Sequence, residues 1–190
     1  MKLVYHIPDR LYYIQQFFDY PTYKKIHNDI FDSKLKLFST DVQWGDSLVY
    51  GHKSNVLKND YDSDVYEPFR KMKILLENNP FYKLEKNLRY SFMQHSMGDN
   101  AGINWHTDIG YEYGITYYIN RRWNIKFGGE FLFKDSNSSG FIPVVGNSLV
   151  IVKPPLFHKV CNVMEPTVHR KTIQIFVDKP DNGCKENISC

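Results

Sequence analysis

Cysteine is scarce in this chain: three in 190 residues, Cys161, Cys184 and Cys190. No two of them form a CxxC pair, which excludes the common zinc and dithiol motifs, and an odd, widely spaced set makes no disulfide scaffold. The thiols are expected to be reduced and the protein cytoplasmic. Long hydrophobic runs are missing as well. Nothing reaches the roughly 18 apolar residues that a membrane helix needs, and the opening MKLVYHIPDR has no apolar signal-peptide core. A charge bias is also missing. Lysine and arginine number 24 against 21 acidic residues, a net +3, and the small surplus is dispersed over the second part of the chain. That is too mild to point to nucleic acid or an anionic membrane, so neither is expected as a partner. There is no internal repeat, and only residues 136–140 approach low complexity.

What the chain does have is 42% hydrophobic and 16% aromatic residues, enough for one domain with a sizeable core. Between residues 11 and 31, Leu11, Ile14, Phe17, Phe18, Ile26, Ile30 and Phe31 recur at helix-like spacings around Tyr20-Pro21, which predicts two short amphipathic helices. Residues 38–50 read as extended and turn-rich and 53–63 as a polar loop, and the stretch 50–63 is expected to face the substrate, lining a groove or folding over it. A further helix is expected over 64–78, with Val65, Phe69, Met72, Leu75 and Leu76 on one face and Asn78-Asn79-Pro80 as its stop.

After Pro80 the pattern changes to short β-type runs separated by turns, at 88–96, 104–107, 114–119, 130–134, 148–152, 159–162 and 171–178. Seven such runs predict an antiparallel jelly roll or sandwich with the preceding helices packed on one outer face. The expected division is a helical support region at 1–82, a β core at 83–178 and a polar tail at 179–190.

The chemistry concentrates in INWHTD. If the segment is extended, His106 and Asp108 project to one side while Thr107 points away. A lone HxD is weak, and two strand residues making ordinary hydrogen bonds is its bland reading. A third candidate ligand changes the balance: His158 follows the apolar run 148–152 and a rigid Pro154-Pro155 turn. Two imidazoles and one carboxylate form the triad that leaves three open positions on non-haem Fe(II), whereas structural zinc is usually closed by four protein ligands. Arg170 then shares one face of the last strand with Thr172, Gln174 and Phe176, a guanidinium and a hydroxyl suited to a carboxylate.

In order, His106-x-Asp108, Gly128-Gly129-Glu130-Phe131, His158 and Arg170 resemble the Fe(II)- and 2-oxoglutarate-dependent dioxygenases, most of all their prolyl hydroxylase branch. The resemblance spans residues 89–177, and the run Ile115-Thr116-Tyr117-Tyr118-Ile119-Asn120-Arg121-Arg122-Trp123 through to GGEFLF is its most specific piece beyond the ligands. It implies a mainly β protein with N-terminal helices, a double-stranded β-helix (jelly roll, cupin-like). Iron would be held by His106, Asp108 and His158, and 2-oxoglutarate would bind with its distal carboxylate on Arg170. O2 would be the oxidant and ascorbate an accessory reductant.

Tyr118 matches a family position that helps hold the cosubstrate, although a strand tyrosine is as readily core. Where many prolyl hydroxylases have a tyrosine ten residues before the first histidine, this chain has Ser96; Thr172 would compensate. Alternation predicts that His95 and His169 face away. Trp105, Tyr111, Tyr113 and Arg122 are the candidate substrate contacts, with packing for Trp105 and solvation for Arg122 as their bland readings. The loops 98–102 and 109–113 are expected to face the substrate. The resemblance implies hydroxylation of an aliphatic carbon, in a prolyl residue of a peptide or in a small molecule such as a free amino acid or sugar. A non-catalytic metal-binding β-helix is the alternative outside enzymology.

Overall fold

The computed structural model describes residues 1–31, 48–50, 53–58, 66–82, 84 and 88–180. The strands are β1 (Lys2–Ile7), β2 (Leu11–Gln15), β3 (Val49–Tyr50), β4 (Lys53–Lys58), β5 (Tyr90–Met97), β6 (Gly102–His106) and β7 (Tyr113–Tyr118). They continue with β8 (Phe131–Lys134), β9 (Ser139–Ile142), β10 (Ser148–Val152), β11 (Phe157–Val160) and β12 (Arg170–Val177). They form two antiparallel sheets, a major one in the order β1-β2-β10-β7-β12-β5-β4 and a minor one in the order β3-β6-β11-β8-β9. This is the expected mainly β jelly roll. All seven runs read as strands after Pro80 are strands, with ends within two residues of expectation.

The inner strands β7, β10 and β12 of the major sheet are buried on both faces, and their alternation sorts two different interiors. On β12, Ile173, Ile175 and Val177 join Ile115 and Tyr117 of β7 and Leu149 and Ile151 of β10 in one core. Two helices, α1 (Tyr20–Ile26) and α2 (Glu67–Glu77), cover that face with Tyr23, Ile26, Phe69, Met72 and Leu76. Each such side chain contributes about 1.5–3 kcal/mol when taken from water, which is what fixes the helices there. Asp19 caps α1 by accepting from the Thr22 N–H at 2.8 Å, and Pro21 and Pro68 occupy the first turns of the two helices. The other face of the major sheet meets the minor sheet. Leu11, Tyr13, Phe131, Phe133, Val150 and Val152 fill one part of that space, and polar groups occupy another.

The N-terminal reading needs correction. The segment expected to begin a helix at Leu11 is β2, and only α1, followed by a wider helical turn at His27–Phe31, is helical. Leu11, Tyr12, Tyr13 and Ile14 are all buried because β2 lies inside the sheet and is covered on both faces, so its apolar run fits a helical template by accident. Helix is also blocked at Phe17-Phe18. Their N–H groups are taken by the Asn147 carbonyl and by Asn147 Oδ1, each at 3.0 Å, and Asn147 Nδ2 donates to the Phe18 carbonyl at 2.9 Å. The expected polar loop at 53–63 begins as strand β4. The extended reading of 38–50 falls outside the described residues except at 48–50, as do the rest of the polar loop and the tail at 181–190.

Candidate metal centre

His106 ends β6, and His158 sits opposite it on β11. Cross-strand partners share a face, so both imidazoles enter the space between the sheets, with ring centroids 4.1 Å apart. Asp108 lies two residues beyond β6, and its Oδ1 and Oδ2 stand 3.7 Å from His106 Nε2 and 3.5 Å from His158 Nε2. The three ligand atoms fall within 4.8 Å of one another.

The outer hydrogen bonds fix the chemistry of both rings. His106 Nδ1 is 2.8 Å from the Asn104 carbonyl and His158 Nδ1 is 3.1 Å from the Leu156 carbonyl. A carbonyl only accepts, so each Nδ1 carries the hydrogen and each Nε2 is the nitrogen turned inward, as a metal ligand requires. Burial pushes the His158 pKa down to about 4, against the pull of Asp108, so this ring is neutral at pH 7. The Phe131 ring stacks on it at 5.1 Å. Two imidazoles and a carboxylate make a pole that suits a divalent cation, and among the described residues no fourth histidine, cysteine or acid joins them.

Gly114 makes room for this pole. A Cβ there would fall 2.0 Å from Asp108 Oδ2, so only glycine lets the carboxylate swing in. The surrounding cavity is walled by Ile103, Phe131, Val152, Val160 and Phe176, with Thr116 and Gln174 as its polar members. Thr116 Oγ1 donates to Gln174 Oε1 at 2.9 Å, and Gln174 Nε2 donates to Thr172 Oγ1 at 3.2 Å.

Past that ladder lies a cationic pole. Arg170 is fully buried; its Nε donates to the Gly129 carbonyl at 3.0 Å, one terminal nitrogen to Met97 Sδ at 4.0 Å and the other to Tyr118 Oη at 3.4 Å. The guanidinium carbon is 5.0 Å from the Tyr118 ring centroid. No carboxylate among the described residues pairs with Arg170, an arrangement that costs several kcal/mol unless an anion completes it. Gly129, at φ 77°, permits the approach: a Cβ there would meet Arg170 Cδ at 3.0 Å. Tyr118 and Arg170 do not line the cavity at the triad; the Thr116–Gln174 pair stands between the poles.

The other expected site residues divide. Thr172 is buried on the Arg170 face, opposite Tyr118. Ser96 is not in the site. The β5–β12 register pairs it with Lys171, on the helix-facing side, where its hydroxyl lies 3.1 Å from His169 Nδ1. The same register corrects the reading of His95, which is buried, pairs with Thr172 and shares the site face. His169 is exposed, as expected.

The Tyr111 ring packs tilted against Phe176, centroids 4.5 Å apart, and lines an open groove beside His106 and Asp108, together with Leu48, Thr107, Ile109 and Gly110. Tyr113 instead packs into the helix-covered core. Arg122 is exposed beyond the end of β7 remote from Asp108, and the loop 98–102 is likewise at the Arg170 end. Trp105 points out of the minor sheet, 39% exposed. Tyr113, Arg122, the loop 98–102 and Trp105 therefore lie away from that groove: for Arg122 and the loop strand direction decides, which spacing does not reveal, and for Tyr113 and Trp105 the face each takes on its strand. The sequence reading also missed Gly114, Thr116 and Phe131. Gln174 was visible as a member of the Arg170 face.

No protein-family model matches the sequence, and no curated protein matches it. Solved structures do match the fold. A prolyl hydroxylase from Trichoplax adhaerens, in complex with a hypoxia inducible factor oxygen degradation domain peptide fragment, superposes with a TM-score of 0.69 at 14% identity, over 90% of this chain and 84% of its own. A prolyl-4-hydroxylase from Pseudomonas putida gives 0.64 at 11% identity, over 89% and 92%. HygX from Streptomyces hygroscopicus, with nickel and 2-oxoglutarate bound, gives 0.63 at 8% identity, over 90% and 83%. The chain thus has the fold of prolyl hydroxylases and related 2-oxoglutarate oxygenases.

Proposed function

We propose that this protein is an Fe(II)- and 2-oxoglutarate-dependent oxygenase that hydroxylates an aliphatic carbon, in a prolyl residue of a peptide. The observation that carries the reading is the two-ended site, with a triad of two imidazoles and a carboxylate at one pole and, at the other, a buried guanidinium that no carboxylate among the described residues pairs with. A metal chelated by one end of a dicarboxylate and an arginine holding its other end would satisfy both poles at once.

Iron bound there, with O2 and 2-oxoglutarate, supplies the oxidising equivalent that puts one oxygen atom into a C–H bond while 2-oxoglutarate leaves as succinate and carbon dioxide. The chain does the rest. His106, Asp108 and His158 would hold the metal and leave the cavity side open, and Gly114 keeps Asp108 in place. Arg170 and the Tyr118 hydroxyl would take the distal carboxylate, with Thr172, Gln174 and the inward His95 along its path. Ile103, Val152, Val160 and Phe176 keep water from the metal side of the cavity.

The open groove with Tyr111, Ile109 and Phe176 supports a peptide substrate, because an extended chain needs a trough where a metabolite needs a pocket. The test has two parts. Calorimetry of the manganese-loaded protein should detect 2-oxoglutarate binding. Iron-loaded protein should then form succinate and add one oxygen to members of a proline-containing peptide library. Oxygen added only to free amino acids or sugars would remove the prolyl assignment, and absence of succinate with every substrate would leave a metal-binding module.

A further inference from the structure

The outer face of the minor sheet sets exposed aromatic rings among lysines. The register aligns Phe141, Leu132 and Lys159 across β9, β8 and β11, and places Ser139, Lys134 and Phe157 in the neighbouring row. Trp105 of β6 completes the first row, with Lys134 Nζ 4.5 Å and Lys159 Nζ 6.0 Å from its ring centroid. Phe141 is 59% exposed and Phe157 48%. Among the described residues no carboxylate lies within β6, β8, β9 or β11; Glu130, directly before β8, is the nearest acid in the outward phase, and it acts with Lys159 on the Cys161 thiol. The acid in the adjacent turn, Asp135, accepts the N–H groups of Asn137 and Ser138 instead. Exposed aromatics this closely grouped mark a surface that meets something.

We propose that this face docks an extended acidic segment of a partner protein, with carboxylates at alternate positions and apolar side chains flanking them. The charge and spacing carry the choice. Lys134 and Lys159 are diagonal neighbours on adjacent strands, about 7–8 Å apart at their roots, and alternate residues of an extended chain repeat every ~6.8 Å on one side. Two such carboxylates reach the two ammonium groups without displacing them from the indole, while the flanking apolar groups cover Phe157 and Phe141. A nucleic acid base would have to displace Lys134 to stack on Trp105. A second copy docking face to face would set lysine against lysine. The proposal does not depend on the oxygenase reading, since the face lies on the far side of the sheet from the cavity.

The experiment is an amide-shift titration of the labelled full-length protein with three peptides: Leu-Ser-Glu-Ser-Glu-Ser-Leu, its glutamine counterpart, and an isomer with adjacent glutamates. The first should shift amides of β6, β8 and β11 and the Trp105 indole, and weaken with salt. The double substitution Lys134→Gln with Lys159→Gln should weaken it by roughly fivefold to tenfold, since each exposed pair contributes up to about 1 kcal/mol. An unchanged thermal midpoint checks the fold of the variant. Equal binding of the glutamine or adjacent-glutamate peptide overturns the proposal, as does no shift at millimolar peptide. Preferential binding of oligothymidylate at this face, or dimerisation through it in sedimentation, overturns it too.

Discussion

Adding one methyl group at position 114 separates the metal centre from the fold that carries it. The Cβ of Gly114→Ala would fall 2.0 Å from Asp108 Oδ2 and 3.0 Å from its Cγ, well inside the ~3.3 Å at which carbon and oxygen normally meet. The carboxylate is the end of a flexible side chain and rotates away more cheaply than β7 moves. Gly114 is not among the glycines with positive φ, so alanine fits its backbone, and removing a strand glycine stabilises by about 0.5–1 kcal/mol. The two effects have opposite signs. Thermal stability of the metal-free protein should hold or rise. Affinity for manganese or cobalt should fall by at least 10–100-fold, about 1.4–2.7 kcal/mol, the usual effect of disturbing a group that orients a ligand. Calorimetric metal titration beside thermal unfolding measures both. Metal affinity within twofold of wild type would refute the reasoning, because Asp108 would then bind from some other position.

Three further outcomes follow from the same geometry. Arg170→Ala should weaken 2-oxoglutarate binding to the manganese-loaded protein by about 2–5 kcal/mol while leaving manganese affinity within a few fold; calorimetry with unchanged 2-oxoglutarate affinity would move the anion pole elsewhere. In the same assay Ser96→Ala should bind 2-oxoglutarate like wild type and His95→Ala more weakly, and the reverse order would show the β5 register to be wrong by one residue. Asn147→Ala should lose roughly 3 kcal/mol in urea unfolding, since three hydrogen bonds and a residue at φ 59° depend on it; Asn147→Gly should recover the backbone part, about 1 kcal/mol.

The strands that sequence patterning revealed and those it hid differ in position. β1 and β4 edge the major sheet and β9 edges the minor one, and these three escaped the reading, whereas β3, at the other edge of the minor sheet, lies within the segment 38–50 read as extended. An edge strand is not covered on both sides and its sequence need not alternate. β2 escaped for the opposite reason, being buried on both faces. The metal triad was legible because its three residues are chemically rare together and two sit at adjacent inward positions. Arg170 was legible through its strand face. Ser96 and His95 were exchanged because counting ten residues back from His106 runs through the loop between β5 and β6 and an irregularity in β6, and a count says nothing of phase once pairing slips.

That irregularity is what assembles the site. Ile103 and His106 both line the cavity, yet they are three residues apart, and strict alternation would place them on opposite faces. The pairing resolves the conflict: His158 opposes His106 while Val160 opposes Ile103, so β6 holds one more residue than β11 over the same stretch. A bulge of this kind re-aims one side chain relative to the rest of its strand. Here Asn104 and Trp105 are both outward and exposed, and the backbone of the bulge is put to use. The Asn104 N–H donates to the Leu48 carbonyl at 2.8 Å, which ties β6 to the edge beside it, and the Asn104 carbonyl takes the His106 Nδ1 hydrogen at 2.8 Å. One extra residue therefore turns His106 inward, fixes which of its nitrogens faces the metal position, and leaves Trp105 outside between two lysines.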